Sequence, residues 1–101
     1  MIRHIVMFRL SESLSERELT DLIARAKSDL EALVGKIEVL RDLKVYTNIN
    51  PKEEYHFSLI ADLDIFEDVD VYARHPDHMK IVTELIKPNL VKRACVDIVV
   101  P

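Results

Sequence analysis

The sequence predicts one α+β domain of 101 residues, in which helices cover one face of a four-stranded antiparallel sheet. Two kinds of pattern predict it: four segments are typical of strands, and the others repeat apolar residues at helical spacing. Their order along the chain is β-α-β-β-α-β, with the second helical segment in two parts. That order is the ferredoxin-like plan, and the length fits a single domain over residues 1–101.

The first predicted strand covers residues 2–10, and its side chains alternate between two faces. The second face is charged at its ends and apolar in its middle, at Ile5 and Met7. The first face is apolar apart from one histidine: Ile2, His4, Val6, Phe8 and Leu10. We therefore expect this first face to point toward the helices, with His4 among apolar side chains.

The first predicted helix covers residues 16–34 and carries the clearest boundary signals. Ser15 is a good N-cap, and Glu18 stands three residues later, as a capping box requires. Gly35 suits the left-handed conformation that ends many helices. One apolar stripe runs along this helix at Leu19, Leu22, Ile23, Ala26, Leu30, Leu33 and Val34.

Three further strands are predicted at residues 37–46, 55–63 and 92–100, with a polar turn between the first two of these. On the strand at 55–63, Tyr55 and Phe57 share the face that points toward the helices. Leu59, Ala61 and Leu63 continue that face.

Two short helices are predicted between the third and the last strand. Asp64 is placed to cap the first of them, which ends at Arg74, with Glu67 as its capping-box partner. Pro76 interrupts the helical pattern, because the residue before a proline avoids helical angles. Pro76 also suits the start of the second helix, which ends near Pro88.

The sheet face away from the helices predicts a homodimer. A solvated face is mostly polar, whereas this one keeps an apolar centre with charges around it. Packing two such faces together is favourable, although a few exposed apolar residues are also normal on a monomer. The predicted interface consists of Ile5, Met7, Ser58 and Ile60, with Cys95 or Val96 added according to the register of the last strand.

Composition excludes several function classes. The formal net charge is −4 and the basic residues are scattered, so no nucleic-acid partner is expected. A single glycine rules out glycine-rich phosphate loops, and a single cysteine rules out an internal disulfide. No apolar run is long enough to predict a signal peptide or a membrane span, so we expect a cytoplasmic protein without a membrane partner.

Three polar side chains are predicted to converge between the sheet and the helices. His4, Tyr72 and His78 each lie on an inward-facing stripe. A histidine in the first turn of a helix is disfavoured as a cation, so His78 is suited to act as a neutral base. With a phenol beside it, the group suits general acid–base chemistry. A hydrogen-bond network that only stabilises the fold is an equal alternative.

No metal or cofactor site is predicted. His75 and His78 are an alternative pair of metal ligands, but they lack the glutamate and spacing of a two-histidine helix motif. Cys95 is typical of a small buried residue in a strand. His56 falls on or near the dimer face, and we assign it no catalytic role.

The sequence resembles the stress-responsive A/B barrel (Dabb) family, and the resemblance covers almost the whole chain. It rests on the segments RHIVMFRL at residues 3–10 and VYARHPDH at residues 71–78, of which the second is more specific. Tyr55 at the start of the third strand fits as well. The resemblance implies a dimeric α+β barrel with a pocket between each sheet and its helices.

The family resemblance also implies candidate site residues. In one plant member, a cofactor-free cyclase, the acid–base pair matches Tyr72 and His78, and a further pocket histidine matches His4. Where that enzyme has a pocket histidine on the third strand, this chain has Phe57, so the same substrate is not expected. The remaining residues expected to line the pocket are Tyr55, Phe57, His75 and Val82.

The first hypothesis is thus a Dabb homodimer that binds a small apolar molecule in this pocket, with cofactor-free acid–base chemistry of a cyclase or lyase type. A second is a non-enzymatic stress-response dimer. A third, from a neighbouring dimeric-barrel group, is a cofactor-independent monooxygenase. The shared fold does not choose among them.

Overall fold

The computed structural model describes all residues, Met1–Pro101, and confirms the predicted order of elements. The elements are β1 (Ile2–Leu10), α1 (Glu16–Glu31), β2 (Asp42–Thr47), β3 (Phe57–Leu63), α2 (Glu67–Arg74), α3 (Pro76–Ile81) and β4 (Leu90–Val99). The strands form one antiparallel sheet in the spatial order β2-β3-β1-β4. This is the ferredoxin-like arrangement, with β1 and β3 in the centre.

The core lies between the sheet and the helices, on the face predicted for it. Val6, Phe8 and Leu10 of β1 are buried there with the alternate residues of β2 and β3 and with the apolar stripe of α1. Besides the hydroxyl of Tyr72, the one buried polar side chain is that of His4, which is 7% exposed. A histidine at this depth needs a hydrogen-bond partner, and β4 supplies one.

Helix α1 begins as predicted and ends earlier. The backbone N–H of Glu18 donates to Ser15 Oγ at 3.1 Å, and the N–H of Ser15 donates to Glu18 Oε1 at 2.9 Å, which is a complete capping box. The helix stops at Glu31 instead of continuing to residue 34. The chain then turns through Gly35, whose φ of +91° lies in the left-handed region, and Val34 is left exposed.

Strand β2 is shorter than predicted, because residues 37–41 form a turn instead of its first half. The N–H of Ile37 donates to Leu33 O and that of Leu40 to Ile37 O, so these groups are not available to a ladder. Both side chains are still buried in the core. The apolar residues that predicted the first half of the strand thus lie in a turn that packs on the core.

The predicted cap of α2 is wrong. Asp64 accepts two hydrogen bonds from Arg41, at 3.1 Å from Nε and 2.8 Å from Nη2, and α2 starts after Phe66 with no side-chain cap. Both bonds end on Oδ2, and a charged guanidinium that donates twice is a strong competitor for a carboxylate. The helix after Pro76 is also less regular than predicted, since α3 continues into a wide π-helical turn at Val82–Ile86 and a 3₁₀ turn at Lys87–Asn89.

Strand β4 forms one edge of the sheet, and the helices leave its inner side uncovered. Ile5 pairs with Val96 and Val6 with Cys95, so Val96 joins the outer face and Cys95 the inner one. Cys95 is nevertheless exposed, which corrects the expectation of a buried residue. None of the helices combines the length and the apolarity that crossing a membrane requires.

Candidate active site

A cavity of about 640 Å³ lies between the inner face of the sheet and the helices α2 and α3. Its walls are mostly apolar, and they are formed by β1, the middle of β3, one side of α2 and the wide turn after α3. The polar side chains at the cavity are His4, Glu67, Asp70, Tyr72, His78 and Arg93. A largely apolar cavity with a few convergent polar groups is typical of a small-molecule site.

Tyr72 is the deepest polar group in this cavity. Its position on the inward stripe of α2 leaves the side chain 1% exposed. Its hydroxyl is the only buried side-chain polar atom in the chain without a hydrogen-bond partner. Burial raises the pKa of the phenol, so the group keeps its proton at neutral pH. A protonated hydroxyl with no partner is free to donate to a ligand.

His78 stands beside Tyr72, with ring centroids 4.4 Å apart. Its Nδ1 lies 2.9 Å from Ala73 O. Because a carbonyl oxygen only accepts, Nδ1 donates, and Nε2 carries the lone pair of the neutral ring. Burial lowers the pKa of His78, and the nearby His4 and Arg93 lower it further, against the opposing effect of the Ala73 hydrogen bond. The ring is therefore a neutral base at pH 7.

His4 approaches Tyr72 from the sheet, with ring centroids 6.3 Å apart and the rings at 70°. Its Nδ1 lies 2.7 Å from Asp97 Oδ1, on the neighbouring strand β4. A carboxylate accepts, so Asp97 orients the ring with its Nδ1–H toward β4 and leaves Nε2 without a protein partner. The structure therefore brings together His4, Tyr72 and His78.

The other predicted pocket residues divide into two groups. Val82 lines the cavity, in the wide turn that follows α3. Phe57 lies one layer behind the wall, because it stacks on Phe8 at a centroid distance of 4.6 Å. Tyr55 is further away, in a separate open depression between α1 and the loop before β3. The cavity lining thus contains neither Phe57 nor Tyr55.

His75 also lies outside the cavity lining. It caps α3, where its Nδ1 accepts from the N–H of Asp77 at 3.1 Å and Pro76 occupies the first helical turn. The side-chain cap explains a histidine directly before a proline without any role in a site. His56 is likewise structural, since its Nδ1 accepts from the N–H of Leu10 at 2.9 Å.

Strand β4 contributes residues that the sequence analysis did not assign to the site. Arg93, Cys95 and Asp97 alternate along its inner side, and Arg93 reaches the cavity wall. Arg93 forms no salt bridge within the chain. The alternation of side chains along this strand is visible in the sequence, but the pairing register that places Asp97 beside His4 is not. Cys95, Asp97 and His4 have ligand atoms within 4.8 Å of one another.

The comparisons with known proteins identify a family for this chain. Residues 2–100 match the family described as Stress responsive A/B Barrel Domain, or Dabb. A dimeric protein of unknown function with a ferredoxin-like fold from Bacteroides fragilis is 34% identical, with a TM-score of 0.88 over 96% of this chain and 93% of that one. No curated protein sequence is significantly similar to the chain.

Two other solved structures are similar over most of their length. A Dabb family protein from Mesorhizobium loti is 27% identical, with a TM-score of 0.75 over 99% of this chain and 96% of that one. A hydroxynitrile lyase from Passiflora edulis is 17% identical, with a TM-score of 0.76 over 99% and 93%, which shows the shared fold alone. By the match over residues 2–100, the chain belongs to the stress-responsive A/B barrel (Dabb) family.

Proposed function

We propose that the protein is a homodimer that binds a small, largely apolar molecule between its sheet and the helices α2 and α3, and removes or returns a proton on it without a cofactor. The observation that carries the proposal is the unpartnered hydroxyl of Tyr72, buried beside the neutral ring of His78. An unsatisfied buried hydroxyl costs roughly 1–3 kcal/mol. That cost is offset when a ligand accepts the hydrogen bond.

The roles follow from the protonation states. His78 has a lone pair on Nε2 and is the general base, whereas Tyr72 keeps its proton and donates to an oxygen of the ligand. Arg93, at the cavity wall without a salt bridge, supports a ligand whose oxygen is negative or becomes negative. These groups fit proton abstraction next to a carbonyl, with the developing enolate stabilised by the phenol and the guanidinium.

The homodimer is supported by the outer face of the sheet. Ile5 lies between Ile60 and Val96 in one row across three strands, and Met7 lies beside Ser58 in the next row. Val96 is 50% exposed in the single chain, and Met7 is exposed as well. A second copy packed on this face removes that apolar surface from water. The similar protein from Bacteroides fragilis is described as dimeric.

Hydrogen–deuterium exchange on a simple ketone tests the proposed chemistry. An aryl methyl ketone in D₂O is incubated with the protein, and the methyl signal is followed by NMR. We expect the wild type to accelerate exchange above the buffer rate and His78→Ala to abolish the acceleration. His75→Asn is the matched control, because that histidine lies outside the cavity and asparagine is also able to cap α3, and it retains the effect.

The same assay separates binding from catalysis. Line broadening of the ketone signals reports binding, and Val82→Trp is expected to remove it by filling the cavity. Binding without exchange by the wild type contradicts the proton-transfer role and favours the non-enzymatic dimer. Absence of both, across apolar ketones of increasing size, contradicts the cavity as a ligand site.

A further inference from the structure

The uncovered side of β4 carries three side chains whose chemistry suits a metal ion. They are an imidazole from β1 and a thiol and a carboxylate from β4: His4, Cys95 and Asp97. Val6 pairs with Cys95 and His4 with Asp97, so the antiparallel ladder itself brings the three groups together. His4 is buried, while the other two residues are exposed and accessible to a solvated ion.

The distances between the ligand atoms are close to those around a tetrahedral ion. His4 Nδ1 lies 3.5 Å from Cys95 Sγ, and Cys95 Sγ lies 3.9 Å from Asp97 Oδ2. Bonds of zinc to nitrogen, oxygen and sulfur separate neighbouring ligand atoms by about 3.3–3.6 Å. The Asp97 carboxylate has to move for either of its oxygens to bind the ion: Oδ1, which is hydrogen-bonded to His4 Nδ1 at 2.7 Å, has to move away from the ring, and Oδ2, at 3.9 Å, has to move closer to the sulfur. Rotation of an exposed carboxylate provides that movement.

We propose that His4, Cys95 and Asp97 form a binding site for Zn²⁺, with three protein ligands and an open fourth position. A thiolate with an imidazole selects a borderline or soft ion over Mg²⁺ or Ca²⁺, which prefer oxygen ligands alone. The thiolate and the carboxylate together balance the double positive charge. Binding releases the thiol proton of Cys95 to solvent and leaves the ring proton of His4 on Nε2, because Nδ1 has to provide the lone pair that binds the ion.

The charges around the site set its strength. Arg93 lies two residues before Cys95 on the same side of β4 and weakens the attraction for a cation. Without a metal, the same three groups form a hydrogen-bond network in which Asp97 orients His4. The metal site does not rest on the proposed proton transfer, since it uses Nδ1 of His4 and two residues of β4, and none of these groups has a role in that transfer.

Titration of the chelator-treated full-length protein with Co²⁺ tests the site. A cobalt–thiolate bond produces a sulfur-to-metal charge-transfer band in the near ultraviolet, and a tetrahedral site produces intense visible bands. We expect both, saturating at one ion per chain and displaced by Zn²⁺. Cys95→Ser removes the ultraviolet band, and Asp97→Asn weakens binding by about tenfold or more.

Matched controls locate the ion. His75→Gln and Asp42→Asn change the same residue types elsewhere on the surface and are expected to bind cobalt as the wild type does. Tyr72→Phe is also expected to bind it normally, which separates this site from the proposed function. The site is overturned if the wild type shows no charge-transfer band, or if Cys95→Ser keeps it. Circular dichroism confirms that each variant is folded.

Discussion

The two faces of the sheet differ in how they distribute polar and apolar side chains. The inner face is apolar except for His4, which meets Tyr72 and His78 in a cavity. The outer face is polar at its ends, where Arg3 and Asp62 form a bidentate salt bridge, and apolar in its middle. In a monomer, the inner face is expected to be apolar and the outer face polar. The inner face instead contains polar groups, and the outer face contains an apolar centre.

The difference between the faces indicates two kinds of partner. A buried polar group without a partner costs free energy that a ligand recovers, whereas an exposed apolar centre costs free energy that a second protein surface recovers. The polar groups inside surround a cavity of about 640 Å³, which is the volume of a small molecule. The apolar side chains outside extend across three strands, which is the scale of a protein interface. Substitutions on one face are therefore expected to leave the other function unchanged.

The largest effect is expected on the outer face, from Ile60→Asp. The change removes an apolar side chain from the centre of the proposed interface and adds a charge there. We expect the dimer dissociation constant to rise by about a hundredfold or more, since burial of an isoleucine alone contributes about 1.5–3 kcal/mol. Sedimentation velocity at micromolar concentration measures the change.

Val71→Asp is the control for the interface variant. Val71 lies on α2, on the helical side of the sheet, and is 51% exposed, so a comparable substitution there adds a charge away from the proposed interface. It is expected to remain dimeric. A compact wild-type monomer, or an Ile60→Asp protein that dimerises normally, contradicts the assignment of the interface to this face.

The next effect is expected inside, where Tyr72→Phe separates stability from function. Removing a buried hydroxyl that has no partner is expected to raise the free energy of unfolding by about 1 kcal/mol. The same change is expected to reduce exchange on the ketone by about tenfold or more, because Arg93 alone then donates to the enolate oxygen. Urea unfolding measures the first effect. Destabilisation instead would mean that the hydroxyl has a partner in the protein.

Tyr46→Phe is the matched control for that variant. Tyr46 pairs with Ser58 on the outer face and is exposed in the single chain, so Tyr46→Phe and Tyr72→Phe are compared in the monomeric Ile60→Asp background. Its hydroxyl is solvated in the single chain, so its loss leaves the free energy of unfolding nearly unchanged. If Tyr46→Phe raises the free energy of unfolding as much as Tyr72→Phe does, burial of the Tyr72 hydroxyl is not the cause of that increase.

The pH dependence of stability gives a smaller effect with a defined sign. Burial lowers the pKa of His78 in the folded state, so the unfolded chain binds a proton at a higher pH than the folded chain does. The contribution of His78 is fully present above about pH 6.5 and is lost as the pH falls through its folded-state pKa. His78→Gln is therefore expected to flatten the decline of the unfolding free energy below pH 6.5.

His56 contributes to the same decline, because burial and the charge of Arg9 lower its pKa too. His56→Gln removes that part, and the double variant removes both. Urea titrations at half-unit steps of pH between 5 and 8 resolve the two contributions. An unchanged profile in His78→Gln would contradict a buried, neutral ring.

Regular patterns made much of the fold predictable. The alternation of β1 and the capping box at Ser15 depend on neighbouring residues only, and both are confirmed. The failures involve competition from distant residues. Asp64 has the composition of a cap, but Arg41, 23 positions earlier, takes its carboxylate. Ile37 has the spacing of a strand, but its N–H bonds to Leu33.

The site divides in the same way. Tyr72 and His78 lie on helical stripes, so their common direction was predictable from spacing. Asp97 was not, because its contact with His4 depends on the register between the first and last strands of the sheet. Phe57 was misplaced for a related reason: its direction was right, but Phe8 stands between it and the cavity. The periodicity of the sequence predicts which face a side chain points to, whereas the packing of its neighbours decides whether it reaches the cavity.

The smallest effect is expected from Ser15→Ala, which tests whether losses at the cavity reflect stability at all. The hydroxyl caps α1, a helix that covers the same inner face but contributes no residue to the cavity lining. Its loss is expected to lower the free energy of unfolding by about 1 kcal/mol. Ketone exchange at 25 °C is expected to be unchanged, because the protein remains folded and the cavity is intact. Tyr72→Phe shows the opposite change in stability and, unlike Ser15→Ala, a loss of exchange. If Ser15→Ala reduces exchange as much as Tyr72→Phe does, exchange depends on global stability and not on the cavity residues. That result would contradict the assignment of α1 to the fold alone and of α2 and α3 to the site.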